Sequence, residues 1–178
     1  MDREKLFNVI KAIAKEIEAE KELLTDLDNA IGDGDHGINM ARGFKAVLEK
    51  LPNLAEKDCG AVLKGVGMAL VSNVGGASGP LYGTFFMKAG DALKGKMEIN
   101  AADFLVSFSS AVAGVKMRGK ATEGEKTMLD ALCPAERAME EAVEGGKSLK
   151  EAVSAAADAA RKGSESTKDI IATKGRAS

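Results

Sequence analysis

The sequence contains few of the residues on which common cross-link and cofactor chemistries depend. It has no tryptophan, one tyrosine, one histidine and two cysteines. Because Cys59 and Cys133 lie far apart and form no CxxC pair, the pattern argues against a disulfide framework or a thiolate zinc site and favours a reducing compartment. The net charge of −2 leaves no surplus of basic residues, so nucleic acid is not expected as a partner.

Long apolar runs are also missing. No stretch approaches the ~18 consecutive apolar residues of a membrane span, and the charged start MDREKLF lacks the apolar segment of a signal peptide. We therefore expect a soluble, cytoplasmic protein without a membrane partner. Hydrophobic residues make up 45% of the 178 positions, enough for one packed core, and we predict a single domain over residues 1–178.

What the sequence does contain is helical periodicity. Apolar residues recur at intervals of three and four, which predicts seven helices and an all-α fold. The first helix is expected from about Asp2 to Leu24, and the second from near Gly37 to Pro52. Asn100 and Ser148 are placed to cap the fifth and seventh helices. The short connections favour an antiparallel up-and-down helical barrel or bundle.

Glycine is concentrated at three helix junctions, Ile31–Gly37, Val74–Gly79 and Gly114–Gly124. These junctions follow the first, third and fifth predicted helices. In an antiparallel bundle such junctions share one end, where Lys174–Arg176, after the seventh helix, would join them. We therefore expect a functional site at one end of the bundle.

The first junction carries the strongest chemical signal. Asp28, Asp33 and Asp35 lie within eight residues, and hard carboxylate oxygens at loop spacing suit Mg²⁺ or Ca²⁺. The alternative is a solvated acidic turn in which Asp35 or nearby groups cap the next helix. An EF-hand is excluded because Phe44 would occupy the position of its bidentate glutamate. The match of this loop to G-x-G-x-x-G is weak because no strand precedes it.

The second junction, GGASGPLYG, combines glycines, Ser78 and a helix start. Backbone N–H groups at such a place bind anions well, and the same holds for Gly37 to Asn39 directly after the aspartates. A cation beside two helix starts would suit a polyphosphate. His36 could contact a phosphate or ribose, ligate a metal, carry a phosphoryl group, or serve as a polar spacer.

Four segments together resemble a known family. They are DNAIGDGDHGINMARGF (28–44), GGASGPLYGTFF (75–86), RGKATEGEKTMLDALCP (118–134) and KGRAS (174–178). In this order they resemble the L subunits of bacterial dihydroxyacetone kinases, above all the stand-alone form that depends on the phosphotransferase system. The resemblance covers essentially the whole chain.

The resemblance implies a helical barrel with a nucleotide, ADP or ATP, at one end. It assigns Asp28, Asp33 and Asp35 to Mg²⁺. The nucleotide contacts it implies are His36, Gly37, Ile38, Asn39, Ala77, Ser78, Gly119, Met128 and Arg176. It implies no catalytic side chain, because phosphoryl transfer depends on charge neutralisation and alignment more than on a protein nucleophile. Relatives usually continue past the GRAS segment into an eighth helix, whereas this sequence ends at Ser178, so either the chain is a truncated version or the protein lacks that helix.

The implied reaction involves two partners. A phosphohistidine of an M subunit phosphorylates the bound ADP, and the resulting ATP phosphorylates dihydroxyacetone held on a K subunit. Two other functions remain open at this point. One is a dihydroxyacetone kinase subunit that exchanges ATP directly, and the other is a nucleotide-dependent interaction module without catalysis.

Overall fold

A computed structural model of the chain describes residues 1–175, and within them the regular secondary structure is helical. Their α-helices are α1 (Arg3–Ala19), α2 (Lys21–Asn29), α3 (His36–Lys50), α4 (Cys59–Asn73), α5 (Ser78–Ala92), α6 (Ala101–Gly119), α7 (Leu129–Glu144) and α8 (Leu149–Ser166). Two short 3₁₀ helices cover Leu51–Leu54 and Thr167–Asp169. The all-α expectation is confirmed.

The helix count differs from the expectation of seven at one place. The first predicted helix is two helices, because the chain leaves the helical conformation at Glu20, with φ −94° and ψ 11°. Apolar spacing continues across this residue, so the sequence pattern did not reveal the break. Both α1 and α2 pack against α3.

The predicted caps are confirmed. The Asn100 side chain accepts a hydrogen bond from Asp103 N–H, and the Asp103 carboxylate accepts one from Asn100 N–H. Ser148 and Glu151 form the same reciprocal arrangement at the start of α8. Each capping box satisfies two N–H groups that have no partner inside the helix.

Internal contacts divide the chain into two compact units, the first covering Met1–Ile99 and the second beginning at Asn100. The first unit holds α1 to α5. Its core includes Ile10, Met40, Val66 and Leu70, each no more than 1% exposed. The expectation of a single domain over residues 1–178 stays a prediction.

Helices α4 and α5 run antiparallel at close range. A Cβ on Gly60, near the start of α4, would lie 2.5 Å from the carbonyl oxygen of Gly90 near the end of α5. Farther along, a Cβ on Gly67 would lie 2.7 Å from the carbonyl oxygen of Gly83. Glycine therefore allows the two backbones to approach directly, which places the start of α5 beside the end of α4.

The second unit holds α6 to α8. Its core cluster comprises Ala135, Met139, Ala152 and Ala156, with Phe104, Leu105 and Phe108 packed against it. Alanine on the facing sides of α7 and α8 lets these helices pack with few aromatic residues. Among the helices of residues 1–175, none combines the length and apolarity needed to cross a membrane.

Candidate functional site

The three predicted metal ligands converge in the loop between α2 and α3. One carboxylate oxygen from each of Asp28, Asp33 and Asp35 lies within 4.8 Å of the others. Asp28 is partly exposed on the last turn of α2, whereas Asp33 and Asp35 are exposed. The sequence prediction that these side chains meet at one point is therefore confirmed, while their role as ligands stays a prediction.

Asp28, and not Asp35, caps α3. Asp35 occupies the N-cap position, but its side chain makes no capping hydrogen bond. Instead, Oδ2 of Asp28 accepts hydrogen bonds from Asp35 N–H at 2.9 Å and His36 N–H at 3.2 Å. The acidic-turn alternative, in which Asp35 or a nearby group caps the helix, is thus right that a carboxylate caps α3, and the capping residue is Asp28.

Glycine leaves room for this arrangement. A Cβ on Gly32 would overlap Oδ1 of Asp28, so any other residue would displace a candidate ligand. Gly34 has φ +71°, a conformation that favours glycine. The glycines between the aspartates therefore allow the loop to fold with its carboxylates together.

Helix α2 crosses the start of α3 at very short range. A Cβ on Gly37 would overlap the carbonyl oxygen of Lys21 and approach Oγ1 of Thr25. Lys21, Thr25 and Asp28 follow one another at intervals of four and three, so they share one face of α2. Gly37 therefore fixes the position of the helix that carries Asp28.

The Gly-rich junction between α4 and α5 lies beside the aspartate loop. Nδ1 of His36, in the first turn of α3, is 3.2 Å from Oγ of Ser78 in the first turn of α5. The two helix starts expected to bind phosphate are therefore neighbours within the first unit. First-turn N–H groups such as those of Gly37, Ile38 and Gly79 have no carbonyl four residues earlier in their helix.

Asn39 differs from its neighbours. Its N–H donates to the Asp35 carbonyl oxygen at 2.9 Å, as the first bond inside α3. The residue is only 7% exposed, and its Oδ1 accepts a hydrogen bond from Nη2 of Arg42 at 2.6 Å. The Arg42 contact was not predicted from the sequence.

The second unit places Gly119 at the end of α6 and Met128 directly before α7. The loop between them is held by Asp130, which is 4% exposed. Its two carboxylate oxygens accept hydrogen bonds from the N–H groups of Gly124 and Thr127. Gly163 of α8 packs on the Asp130 carbonyl so closely that a Cβ would overlap it.

The same loop reaches the end of the described chain. Oε2 of Glu125 accepts a hydrogen bond from Thr122 N–H at 2.7 Å, and Oε1 lies 3.7 Å from Nζ of Lys174. The Thr122 bond is the main cause of the lowered pKa of Glu125. Arg176, the last predicted nucleotide contact, lies outside the described residues. The expected convergence of all four segments stays a prediction.

The two cysteines supply no nucleophile. Both are buried and unbridged, and burial raises the pKa of each thiol. Thiolate, the reactive form, is therefore disfavoured at neutral pH.

The aspartate set fits Mg²⁺. Two oxygens on opposite sides of an octahedral Mg²⁺ are about 4.2 Å apart, since each bond is about 2.1 Å. The three oxygens within 4.8 Å need only small side-chain rotations to share one ion. They are also the ligand type that hard cations prefer.

Comparison with known protein families assigns the chain to one of them. The DAK2 domain model matches residues 30–178. The chain belongs to the DAK2 family. Among curated relatives, the ADP-binding subunit DhaL of the PEP-dependent dihydroxyacetone kinase of Escherichia coli K12 is 42% identical over 178 residues. That alignment covers 100% of this chain and 85% of the subunit. A DhaL subunit of Listeria innocua, from its PEP-dependent dihydroxyacetone kinase 2, is also 42% identical and covers 99% of this chain and 82% of its own length.

Solved structures show that the DAK2 chain shares a known fold. The native dihydroxyacetone kinase of C. freundii matches 99% of this chain with a TM-score of 0.80 at 24% identity. The match covers 31% of that longer enzyme. The same enzyme in complex with AMP-PNP and Mg²⁺ matches with a TM-score of 0.78.

Proposed function

We propose that this chain is the nucleotide-binding subunit of a PEP-dependent dihydroxyacetone kinase. In this proposal ADP stays bound, accepts a phosphoryl group from a phosphohistidine of an M subunit, and as ATP donates it to dihydroxyacetone on a K subunit. The observation that carries the proposal is the convergence of three aspartate oxygens beside the starts of α3 and α5. The two DhaL subunits that are 42% identical are both described as ADP-binding subunits of such kinases.

Asp28, Asp33 and Asp35 would hold Mg²⁺. The bound ion would supply positive charge against the phosphate oxygens. The two carboxylate oxygens of Asp28 would have separate roles. Oδ2 caps α3, and Oδ1, which lies next to Gly32, would bind the cation. This division keeps the ligand rigid, because the capping bonds fix its rotamer.

The helix starts would bind the phosphates directly. N–H groups of Gly37, Ile38, Ala77 and Ser78 are in or next to first helical turns, where the helix dipole also favours anions. His36 and Ser78 contact each other, so both side chains are placed where a phosphate would lie. We assign Gly119, Met128 and Arg176 to the nucleotide on the resemblance alone.

No side chain of this protein has to act as nucleophile or general base in this function. Phosphoryl transfer between bound partners requires alignment and charge neutralisation, which the aspartate loop and helix starts provide. PEP is a cytoplasmic metabolite, so we also propose a cytoplasmic location.

Purified protein mixed with partner subunits tests the proposal. We expect ADP to remain bound through gel filtration in Mg²⁺, and dihydroxyacetone phosphate to form only when PEP, the phosphotransferase components and both partner subunits are present. Loss of nucleotide on the column, with activity driven by added ATP, would instead identify an ATP-exchanging kinase subunit. Retained ADP without any transfer would identify an interaction module.

A further inference from the structure

Two polar contacts join α3 to the Gly-rich junction and to α4, the helix that leads into it. One is the His36–Ser78 contact at the start of the helix. The other is made by Arg42, two turns farther along, whose Nε donates to the carbonyl oxygen of Asn73 at 2.8 Å. Asn73 is the last residue of α4, so Arg42 bonds the end of the helix that precedes the junction.

The Asn73 carbonyl suits a guanidinium group. The last four carbonyls of a helix have no N–H partner within it, and the negative end of the helix dipole favours a cation there. Arg42 therefore neutralises an orphan acceptor and fixes the point at which the chain leaves α4. Lysine could supply the charge but not two hydrogen bonds in one fixed plane.

Asn39 completes the contact. Its buried Oδ1 accepts the second hydrogen bond from Arg42 at 2.6 Å, and its amide packs against the backbone of Gly75. A Cβ on Gly75 would lie 3.0 Å from Nδ2 of Asn39. Arg42, Asn39 and the segment Asn73–Gly75 thus form one connected unit, which we call the α3–α4 clamp.

The clamp connects the two parts of the proposed phosphate site. Residues 36–38 of the same helix adjoin the aspartate loop, because Asp28 bonds His36 N–H. Gly76 to Ser78 follow the clamp directly along the chain, with Gly76 at φ +62°. A shift of Asn73 to Gly75 would therefore move the N–H groups of α5 relative to the aspartates.

We propose that Arg42 is a positioning residue for the nucleotide: it holds the Gly75–Ser78 junction in register with the aspartate loop without touching the ligand. This inference rests on the proposed function, since it concerns the same site. The Nε and Nη2 groups of Arg42 already donate hydrogen bonds to Asn73 and Asn39. Without Arg42, the N–H groups of the Gly75–Ser78 junction would be misplaced and would bind the phosphates more weakly, whereas the structure of the aspartate loop would not change.

The test compares Arg42→Ala with Lys45→Ala. Lys45 is an exposed residue on the same helix. Its replacement by alanine removes one positive charge, as in Arg42→Ala, but leaves the contacts of the α3–α4 clamp intact. We expect Arg42→Ala to bind Mg-ADP about ten- to hundredfold more weakly by calorimetry, the range for loss of a charged hydrogen bond. Lys45→Ala should bind within about twofold of the wild type.

Nuclear magnetic resonance of the nucleotide-free proteins supplies a second readout. In Arg42→Ala the amide signals of Gly75 to Ser78 should shift or broaden, while those of Gly32 and Gly34 should stay in place. Arg42→Lys, which keeps the charge, should show an intermediate loss of affinity. If Arg42→Ala does not fold, the same comparisons apply to Arg42→Lys.

Four results would overturn the inference. They are wild-type affinity in Arg42→Ala, wild-type affinity in Arg42→Lys, an equal loss in Lys45→Ala, and equal displacement of the aspartate-loop and junction signals. Failure of the wild-type protein itself to bind Mg-ADP would instead refute the proposed function.

Discussion

Two loops of this protein are rich in carboxylates, and they use them differently. In the second unit, Asp130 is buried and accepts backbone N–H groups on both oxygens. Glu123 forms a two-bond pair with Arg137, at 2.8 Å for each bond. In the first unit, Asp28 uses one oxygen to cap α3, and the side chain of the exposed Asp35 does no capping.

The difference separates structural carboxylates from candidate ligands. Each carboxylate named in the second loop fixes backbone or pairs with a cation of the protein. Within residues 1–175 the structure records no ion pair for Asp28 or Asp35, although their oxygens and one of Asp33 lie within 4.8 Å. Like charges so close repel one another unless a cation joins them, which is why the first loop, and not the second, is the proposed metal site.

The largest effect should come from Asp33→Asn. This change keeps the shape of the side chain but removes one ligand charge, so Mg²⁺-dependent ADP affinity should fall by about a hundredfold or more, near 3 kcal/mol. Thermal unfolding should change far less than the affinity, because Asp33 is exposed. Calorimetry with and without Mg²⁺ measures the first quantity. Asp26→Asn, at an exposed position of α2 outside the cluster, is the matched control, and an Asp33→Asn protein that retains ADP like this control would contradict the assignment.

Asp130→Ala should show the opposite pattern. It leaves two N–H groups without their acceptor in a partly buried loop, so the free energy of unfolding should fall by about 2–3 kcal/mol. Urea denaturation checks this value. The control is Asp158→Ala, whose side chain is 62% exposed beside Arg161, and it should change stability by less than about 0.5 kcal/mol. Equal stability of the two variants would mean that Asp130 does not organise its loop.

Gly37→Ala tests the support of the first loop. The added methyl group would overlap Lys21, so α2 must shift, and with it Asp28. We expect a loss of about 1–3 kcal/mol in stability together with weaker Mg-ADP binding. Gly145→Ala serves as control, because Gly145 has an ordinary φ of −73° and a Cβ there would make a tight contact of 3.1 Å with the Glu141 carbonyl oxygen without overlapping it. If both variants bind Mg-ADP equally well, Gly37 does not position α2 for binding.

His36→Ala should have a smaller effect. The imidazole contacts Ser78 and in our account touches phosphate without carrying it, so affinity for Mg-ADP should fall by about three- to tenfold, near 1 kcal/mol. Some phosphoryl transfer should remain, measured with the partner subunits. Mass spectrometry during turnover offers the counter-test, since a stable phosphohistidine at position 36 would show that this residue carries the group.

The smallest effect concerns pH in the second unit. The hydrogen bond from Arg137 lowers the pKa of Glu123 below its ordinary value of 4.5. A lowered carboxyl pKa adds stability above about pH 4.5, and this contribution disappears as the pH falls through the folded-state pKa. In Glu123→Gln the melting temperature should therefore fall less between pH 5 and about pH 3 than in the wild type. The control is Glu140→Gln, at an exposed position of α7, and equal acid sensitivity of the two variants would remove any role for the Arg137 pair.

The sequence predicted much of this structure because local signals determine it. Helical periodicity identified the helices, and Asn100 and Ser148 marked two of their starts as capping residues. The meeting of Asp28, Asp33 and Asp35 followed from loop spacing and glycine. In each case the interacting groups are close together along the chain.

Features that depend on residues far apart along the chain could not be predicted from the sequence. The role of Arg42 requires the carbonyl of Asn73, 31 residues away, and no local pattern marks it. The helix break at Glu20 separates two helices that both pack on α3, and apolar spacing does not mark it. The burial of Asp130 follows from its contact with α8 at Gly163, whereas its sequence position resembles an ordinary acidic first turn.

A crystal structure with Mn²⁺ and ADP tests the central claim most directly. Mn²⁺ takes the same oxygen ligands as Mg²⁺ and is located by its anomalous signal. We predict a peak bound by oxygens of Asp28, Asp33 and Asp35, with the diphosphate of ADP on the same ion and against the starts of α3 and α5. A nucleotide bound elsewhere, with no metal peak among these aspartates, would contradict the account.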